Sequence, residues 1–204
     1  MKKKKMKIIF GLILIVLFAL LAFCIKDIYK SLKNTEEVKT IMEIKDYGYT
    51  LNDNDSPYFK DLFEKLNDVL TKEEISEEEY ASLVGQLFVT DFYSLQYVLS
   101  KSDVGGQQFV AADYRDLFVK FARDSIYSNV ESNIYGKRNQ ELPNVKKVEV
   151  SNVKKEAYEG EKLSDENAYY ITLDITYDED LEYDSKVELV LIHNGKKLEV
   201  VKVN

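Results

Sequence analysis

Several residues that protein chemistry relies on are scarce in this 204-residue chain: it has one cysteine, one histidine, two prolines and no tryptophan. The cysteine, Cys24, lies inside a long apolar run, so residues 27–204 have no disulfide, no zinc cluster built on thiolates and no thiol nucleophile. One histidine, His193, excludes a histidine-rich metal site and a Cys/His nucleophile pair. A Ser–His–Asp triad would have to use His193, which flanks a turn signal and reads as a partly exposed turn residue. Gly105-Gly106 lacks the lysine and the strand–loop–helix setting of a phosphate-binding loop. The expectation is a protein that is not an enzyme, with no catalytic residue, no cofactor and no metal ion. Two prolines and eight glycines are too few for a low-complexity exterior, and 15 tyrosines and 10 phenylalanines supply the aromatic packing instead.

What is present at the N-terminus speaks of location. Lys2 to Lys5 and Lys7 precede an uncharged apolar run from Ile8 to Ile25. Eighteen helical residues at 1.5 Å each are about 27 Å long, enough to cross a hydrocarbon core of roughly 30 Å. With the lysines on its N-terminal side, such a span keeps the N-terminus cytoplasmic and sends the rest of the chain outside. A cleaved signal peptide would have a shorter apolar core and a better small-x-small site than Ala22-Phe23-Cys24. Leu21-Ala22-Phe23-Cys24 resembles a lipobox, but Phe23 places a bulky ring where lipoprotein signals carry a small residue. The sequence therefore predicts a lysine-rich tail and transmembrane anchor over 1–25, a stalk over 26–40 and an extracytoplasmic domain over 41–204.

Charge changes sign at that boundary. Six of the 28 basic side chains fall in residues 1–26, which hold no acid, leaving 22 against all 36 acids and a formal charge of −14 for the exterior. A domain this acidic repels phosphate backbones, so no nucleic-acid partner is expected. It is also repelled by anionic headgroups, which leaves the N-terminal helix as the expected membrane contact. Dense acids such as Asp178-Glu179-Asp180 lack the spacing and glycine of a calcium-binding EF-hand loop.

Periodicity divides the exterior in two. Ile44 to Leu51 reads as one short strand, with Tyr47, Tyr49 and Leu51 on one face. Ser56-Pro57 is an N-cap followed by proline at the first helical position, and Tyr58, Phe59, Leu62, Phe63, Leu66, Val69 and Leu70 make one apolar stripe. A second helix opens on the capping box Ser76 to Glu79, with Tyr80, Leu83, Val84, Leu87, Phe88, Phe92 and Leu95 on its inner face. A third is expected over about 113–131, with Tyr114, Leu117, Phe118, Phe121, Ala122 and Ile126 turned inward. After Pro143 the period becomes two: a strand from Val145 to Tyr158 with a bulge near Ser151-Asn152, then alternation over 169–177. A last hairpin turns on Asn194-Gly195, pairing His193 with Lys196 and Leu191 with Leu198. Helices first and antiparallel strands after predict α+β, about three helices on a curved antiparallel sheet.

That order resembles the nuclear-transport-factor-2-like cone fold. Phe88-Val89-Thr90-Asp91-Phe92-Tyr93-Ser94-Leu95, followed by Lys101 to Val110, is similar to segments of membrane-anchored, uncharacterised exported proteins of low-GC Gram-positive bacteria. A short tail, one span and an outer domain of this kind also resembles scaffold subunits of type IV secretion and conjugation machines. The resemblance implies a protein partner in the cell envelope and a binding or scaffold role. It also implies a cavity between helices and sheet, where some cone-fold members place a carboxylate and a tyrosine. Asp91 interrupts the apolar face of the second helix and, with Tyr93, Tyr169 and Tyr177, makes up the candidate pocket for an unidentified small ligand. Asp91 and Tyr93 lie two apart on a helix and point in different directions. The reading preferred for Asp91 is structural: a carboxylate bonded to nearby backbone amides or a tyrosine hydroxyl. For the tyrosines it is amphipathic core.

Overall fold

The computed structural model describes residues 39–204. The expected tail and anchor, Cys24, and the stalk as far as residue 38 lie outside the described residues. Among the described residues no helix is long and apolar enough to cross a membrane. The described part is α+β, with three helices followed by a four-stranded antiparallel sheet.

The chain opens with a small hairpin, β1 (Thr40–Ile44) against β2 (Tyr49–Asn52). This corrects the single strand expected over Ile44 to Leu51. The Ile44 carbonyl accepts from the amides of both Tyr47 and Gly48 (3.0 and 2.8 Å), and Gly48 takes a φ of +69° that a residue with a Cβ rarely adopts. The alternation survives on the far side of that turn, where Tyr49 and Leu51 are buried.

Helices α1 (Pro57–Leu70) and α2 (Glu77–Tyr93) begin where their caps predict. Ser56 Oγ accepts from the Phe59 amide at 3.1 Å and Ser76 Oγ from the Glu79 amide at 3.3 Å. Three glutamates in the first turn of α2 face its positive end. On α1 the stripe Phe59, Leu62, Phe63, Leu66, Val69 and Leu70 is buried, each side chain contributing about 1.5–3 kcal/mol. α2 is buried on more than one face, because α1 covers one flank and the sheet another; Ala81, Gly85 and Val89 join the expected set. A Cβ on Gly85 would sit 3.3 Å from Leu173 Cδ1 and 3.6 Å from Ile171 Cδ1, so helix and sheet touch there with no room between them.

The third helix, α3 (Ala112–Asp124), stops seven residues short of the expected end. Its stripe is also not all inward, which corrects the sequence reading: Leu117 and Phe121 are 51% and 63% exposed, and only Ala122 is fully buried. Beyond the helix, Tyr127 is buried completely.

The sheet runs β3 (Val145–Glu159), β4 (Ser164–Tyr177), β5 (Lys186–Asn194), β6 (Lys197–Val203), in that spatial order. β3 slips its register between Val150 and Asn152, the bulge foreseen near Ser151. The C-terminal turn differs from expectation. Asn194 pairs with Lys197 and Leu191 with Val200, so Gly195-Lys196 is the two-residue loop. Gly195 has a φ of +62° while Lys196 does not share it, the pattern of a turn with glycine first rather than Asn-Gly at its centre. The register moves by two, which preserves side-chain parity, so Val187, Leu189, Leu191, Leu198 and Val200 still face the main core.

One polar knot ties the two ends of this arrangement. The Tyr49 hydroxyl donates to the Leu198 carbonyl at 2.7 Å, and the Leu198 amide donates to the Tyr80 hydroxyl at 2.9 Å. The two hydroxyls lie 2.9 Å apart, and Tyr80 also reaches the Lys196 carbonyl at 3.2 Å. Burial pushes both phenols well above their ordinary pKa, keeping them neutral donors.

Removing the Tyr49 hydroxyl takes the donor from the Leu198 carbonyl in the core, while the Leu198 amide keeps Tyr80. Tyr49→Phe is expected to destabilise the domain by about 1–3 kcal/mol, read as a lowered midpoint in thermal or urea unfolding. Gly195→Val meets no atom within 4 Å but must hold a positive φ, so a loss of about 1–3 kcal/mol is expected from backbone strain alone. An unchanged midpoint in either variant would contradict the contact it tests.

Candidate functional site

Two concave features stand out, and the first surrounds Asp91. The loop after α2 returns at Gly105-Gly106, where the Gly106 amide donates to Asp91 Oδ2 at 2.7 Å. Glycine is required twice: a Cβ at 105 would overlap the Asp91 carbonyl, and Gly106 takes a φ of +76° against Phe88. Tyr127, buried below, donates to the Phe92 carbonyl at 2.7 Å and accepts from the Gly105 amide at 3.1 Å. Gln108 grips β2 with both ends of its amide, accepting from the Thr50 amide at 2.9 Å and donating to its carbonyl at 3.1 Å. These contacts frame a cleft of about 270 Å³ between β2, the start of α1, the end of α2 and the 103–108 loop.

Its chemistry is polar and acidic. Asp55, Asp91 and Asp103 line it with Asn52, Asn54 and Gln107. Asp55 Oδ2 accepts from the Asn52 amide and Asp103 Oδ2 from the Leu99 amide, so both serve loop geometry. Burial raises the Asp91 carboxyl to about 7 against the lowering pull of the Gly106 amide, and Asp55 and Asp103 raise it further. Among the described residues no group of three or more His, Cys, Asp or Glu side chains is placed to hold a metal ion.

The four candidate pocket residues do not share this cleft. Asp91 lines it; Tyr93, Tyr169 and Tyr177 are not among its walls. Tyr93 is buried and edge-on to Phe92 at 4.9 Å, its phenol pushed up to about 12 by desolvation. Tyr177 donates to the Asp184 carbonyl at 2.9 Å beside Tyr183. Tyr169 lies across the sheet, under Lys155 and 5.9 Å from the His193 ring. His193 itself bridges three elements, with Nδ1 2.7 Å from Asp165 Oδ2 and Nε2 3.3 Å from Glu77 Oε2. Both partners are carboxylates, so the cluster is a polar tie between β4, β5 and the head of α2.

The second feature was not foreseen. Tyr114, Leu117, Phe118 and Phe121 of α3 face Val200, Val201 and Val203 of β6 across an apolar groove of about 440 Å³, floored by Phe92. β6 is an edge strand whose outer side is met at Leu198 by the Tyr49 and Tyr80 hydroxyls and at Val200, where the carbonyl accepts from the Ala111 amide at 3.0 Å. The signal in the sequence was the stripe on α3, which periodicity assigns to a core without saying how much of that core exists. Tyr127 and Gln108 were equally invisible, since both act through backbone groups remote in sequence.

Comparison with known protein families, curated proteins and solved structures finds no match to the chain.

The Asp91 titration carries a sign. A carboxyl whose folded pKa is raised binds its proton more tightly in the folded state, so stability falls as pH climbs from the unfolded value of about 4 to about 7, then levels off. Asp91→Asn keeps an acceptor for the Gly106 amide and removes this dependence. Its melting temperature is expected to gain on the native protein between pH 4 and pH 7 and to hold that gain at pH 8. Asp91→Ala, which strands the amide, is expected to cost about 1–3 kcal/mol at pH 5. Parallel melts of the two variants across that range check both.

Proposed function

We propose that the chain is a single-pass membrane-anchored protein whose extracytoplasmic α+β domain serves as a protein-binding or scaffold module of the cell envelope. The observation that carries this reading is the groove between α3 and β6. Exposed Leu117 and Phe121 stand beside an apolar strand edge, and contiguous apolar surface of this kind marks interaction sites. The anchor follows from the uncharged run Ile8 to Ile25 behind its lysine cluster. Kinship with the cone fold, and through it a place in a secretion or conjugation machine, is supported by the order of three helices and then four antiparallel strands. Binding is favoured over catalysis because the carboxylates around Asp91 are engaged with backbone amides and His193 is engaged with carboxylates.

A second reading gives the Asp91 cleft a small polar ligand. Its support is a carboxyl poised near neutrality in a concave site. At about 270 Å³, with mainly polar walls, the cleft falls below the usual size and apolarity of small-molecule pockets.

A photo-crosslinking residue placed at Phe121 in intact cells tests the groove. The expected result is one discrete heavier adduct, absent when the same probe replaces exposed Glu149 on β3. Leu117→Glu is expected to abolish the adduct while changing stability by no more than about 0.5 kcal/mol, as exposed positions do. Persistence of the adduct in that variant, or its absence at Phe121, would rule out the groove as the docking site.

A further inference from the structure

We propose that the loops over 95–101 and 131–138 form one membrane-facing surface, whose apolar tips enter the interfacial layer of the bilayer that tethers the chain. This rests on the anchor reading above. Ile134 and Tyr135 occupy the centre of a tight turn closed by the Gly136 amide on the Asn133 carbonyl at 2.9 Å. Such positions favour glycine, proline, asparagine, aspartate or serine, each for a conformational reason that isoleucine and tyrosine do not share. Here they are 50% and 72% exposed.

The neighbouring loop adds Tyr97 and Leu99, and the two loops are joined: the Asn133 amide donates to the Leu99 carbonyl at 2.7 Å. Arg138 clamps them from behind. Its guanidinium donates to the Val98 carbonyl at 2.9 Å and the Gln96 carbonyl at 2.7 Å, and its amide donates to Asn133 Oδ1 at 3.0 Å. The tips are thus presented by a supported frame. They hold four of the seven large apolar side chains most exposed among the described residues.

Charge and tether length favour a bilayer as the occupant. Within 95–105 and 130–142, Lys101, Lys137 and Arg138 offset Asp103, Glu131 and Glu141, so the two loops themselves carry no acidic excess to repel headgroups, while Asp55 and Asp91 lie in the adjoining cleft at the flank of Tyr97. Tyrosine and aliphatic side chains with nearby lysine is the composition of a membrane–water interface. The chain joins the domain at Thr40, paired with Asn52, and Asn52 lines the same cleft as Tyr97 and Val98. Only residues 26–38 separate the apolar run from Lys39, a reach of about 20 Å if helical and about 45 Å if extended.

The native chain has no tryptophan, so Tyr135→Trp gives the full-length protein a single indole reporter when reconstituted in phosphatidylcholine vesicles. The expected result is blue-shifted emission, with roughly a twofold or greater loss when the lipids carry brominated acyl chains, as side chains about 5–10 Å below the headgroups require. Adding Ile134→Asp to that variant is expected to reverse both effects, and Tyr170→Trp, on the outer sheet face, to show no bromine quenching. Protein that floats with the vesicles but whose reporter ignores brominated lipid would overturn the surface and leave the anchor standing. A blue shift that grows with protein density and ignores bromine would assign the tips to contact between copies, and also overturn it. Failure to float would instead overturn the anchor reading from which the proposal starts.

Discussion

The described fold closes on a pair of tyrosine hydroxyls. Tyr49 and Tyr80 are almost wholly removed from solvent, and together they satisfy the amide and carbonyl of Leu198, itself fully buried. A buried backbone amide left without a partner costs as much as the gain from several well-placed methyl groups, so phenylalanine could fill the space without doing the work. Three elements meet there: the N-terminal hairpin, the central helix and the C-terminal hairpin. The ring of Tyr49 stacks on Phe109 at 5.6 Å and lies beneath the Lys197 ammonium, which brings the 107–109 turn to the same point. Once β2 is held, its outer edge becomes one wall of the acidic cleft; once β6 is held, its edge becomes one wall of the apolar groove.

Local grammar in the sequence accounts for much of this. Ser56-Pro57 and Ser76 with its three glutamates mark helix starts because capping is a contact between residues three apart. The strands after Pro143 are legible from alternation, and even the bulge at Ser151 shows as a break in period. The hairpin register was displaced because Asn-Gly is compatible with two turn geometries, whereas the apolar face was right because a slip of two leaves parity unchanged. Gly48 divided what alternation alone had joined.

What resisted reading depends on partners distant in the chain. A stripe such as Tyr114, Leu117, Phe118, Phe121 shows that a helix has an apolar face but not what meets it, and β6 ends the sheet before covering it. Asp91 was recognisable as an interruption and its bond to a backbone amide was anticipated, yet the donor lies fifteen residues away in a loop whose path is fixed by Tyr127 and Gln108. Arg138 is the same case: its acceptors are carbonyls, which carry no sequence signal. Of the tyrosines grouped with Asp91, Tyr93 and Tyr177 come near each other beside Asp184 at the end of β4, while Tyr169 lies further back along that strand beside His193, and none of the three reaches the Asp91 cleft.

The tie between Tyr49 and Leu198 spans 149 positions, and that separation sets an order of assembly. Contacts between residues far apart in sequence form late, after the loop between them has been closed at an entropic cost. Helices α1 and α2 can pair as soon as they are made, and α2 meets the sheet mainly through β3 and β4, but the Tyr49 and Tyr80 hydroxyls have no backbone partner in the sheet until residue 198 arrives. Until then the side of Tyr49 and Tyr80 that the C-terminal hairpin covers stays open, and incompletely covered apolar surface is the kind most prone to wrong association. A domain built in this way completes its polar closure only with the β5–β6 hairpin, and slow delivery of that hairpin would prolong the vulnerable interval.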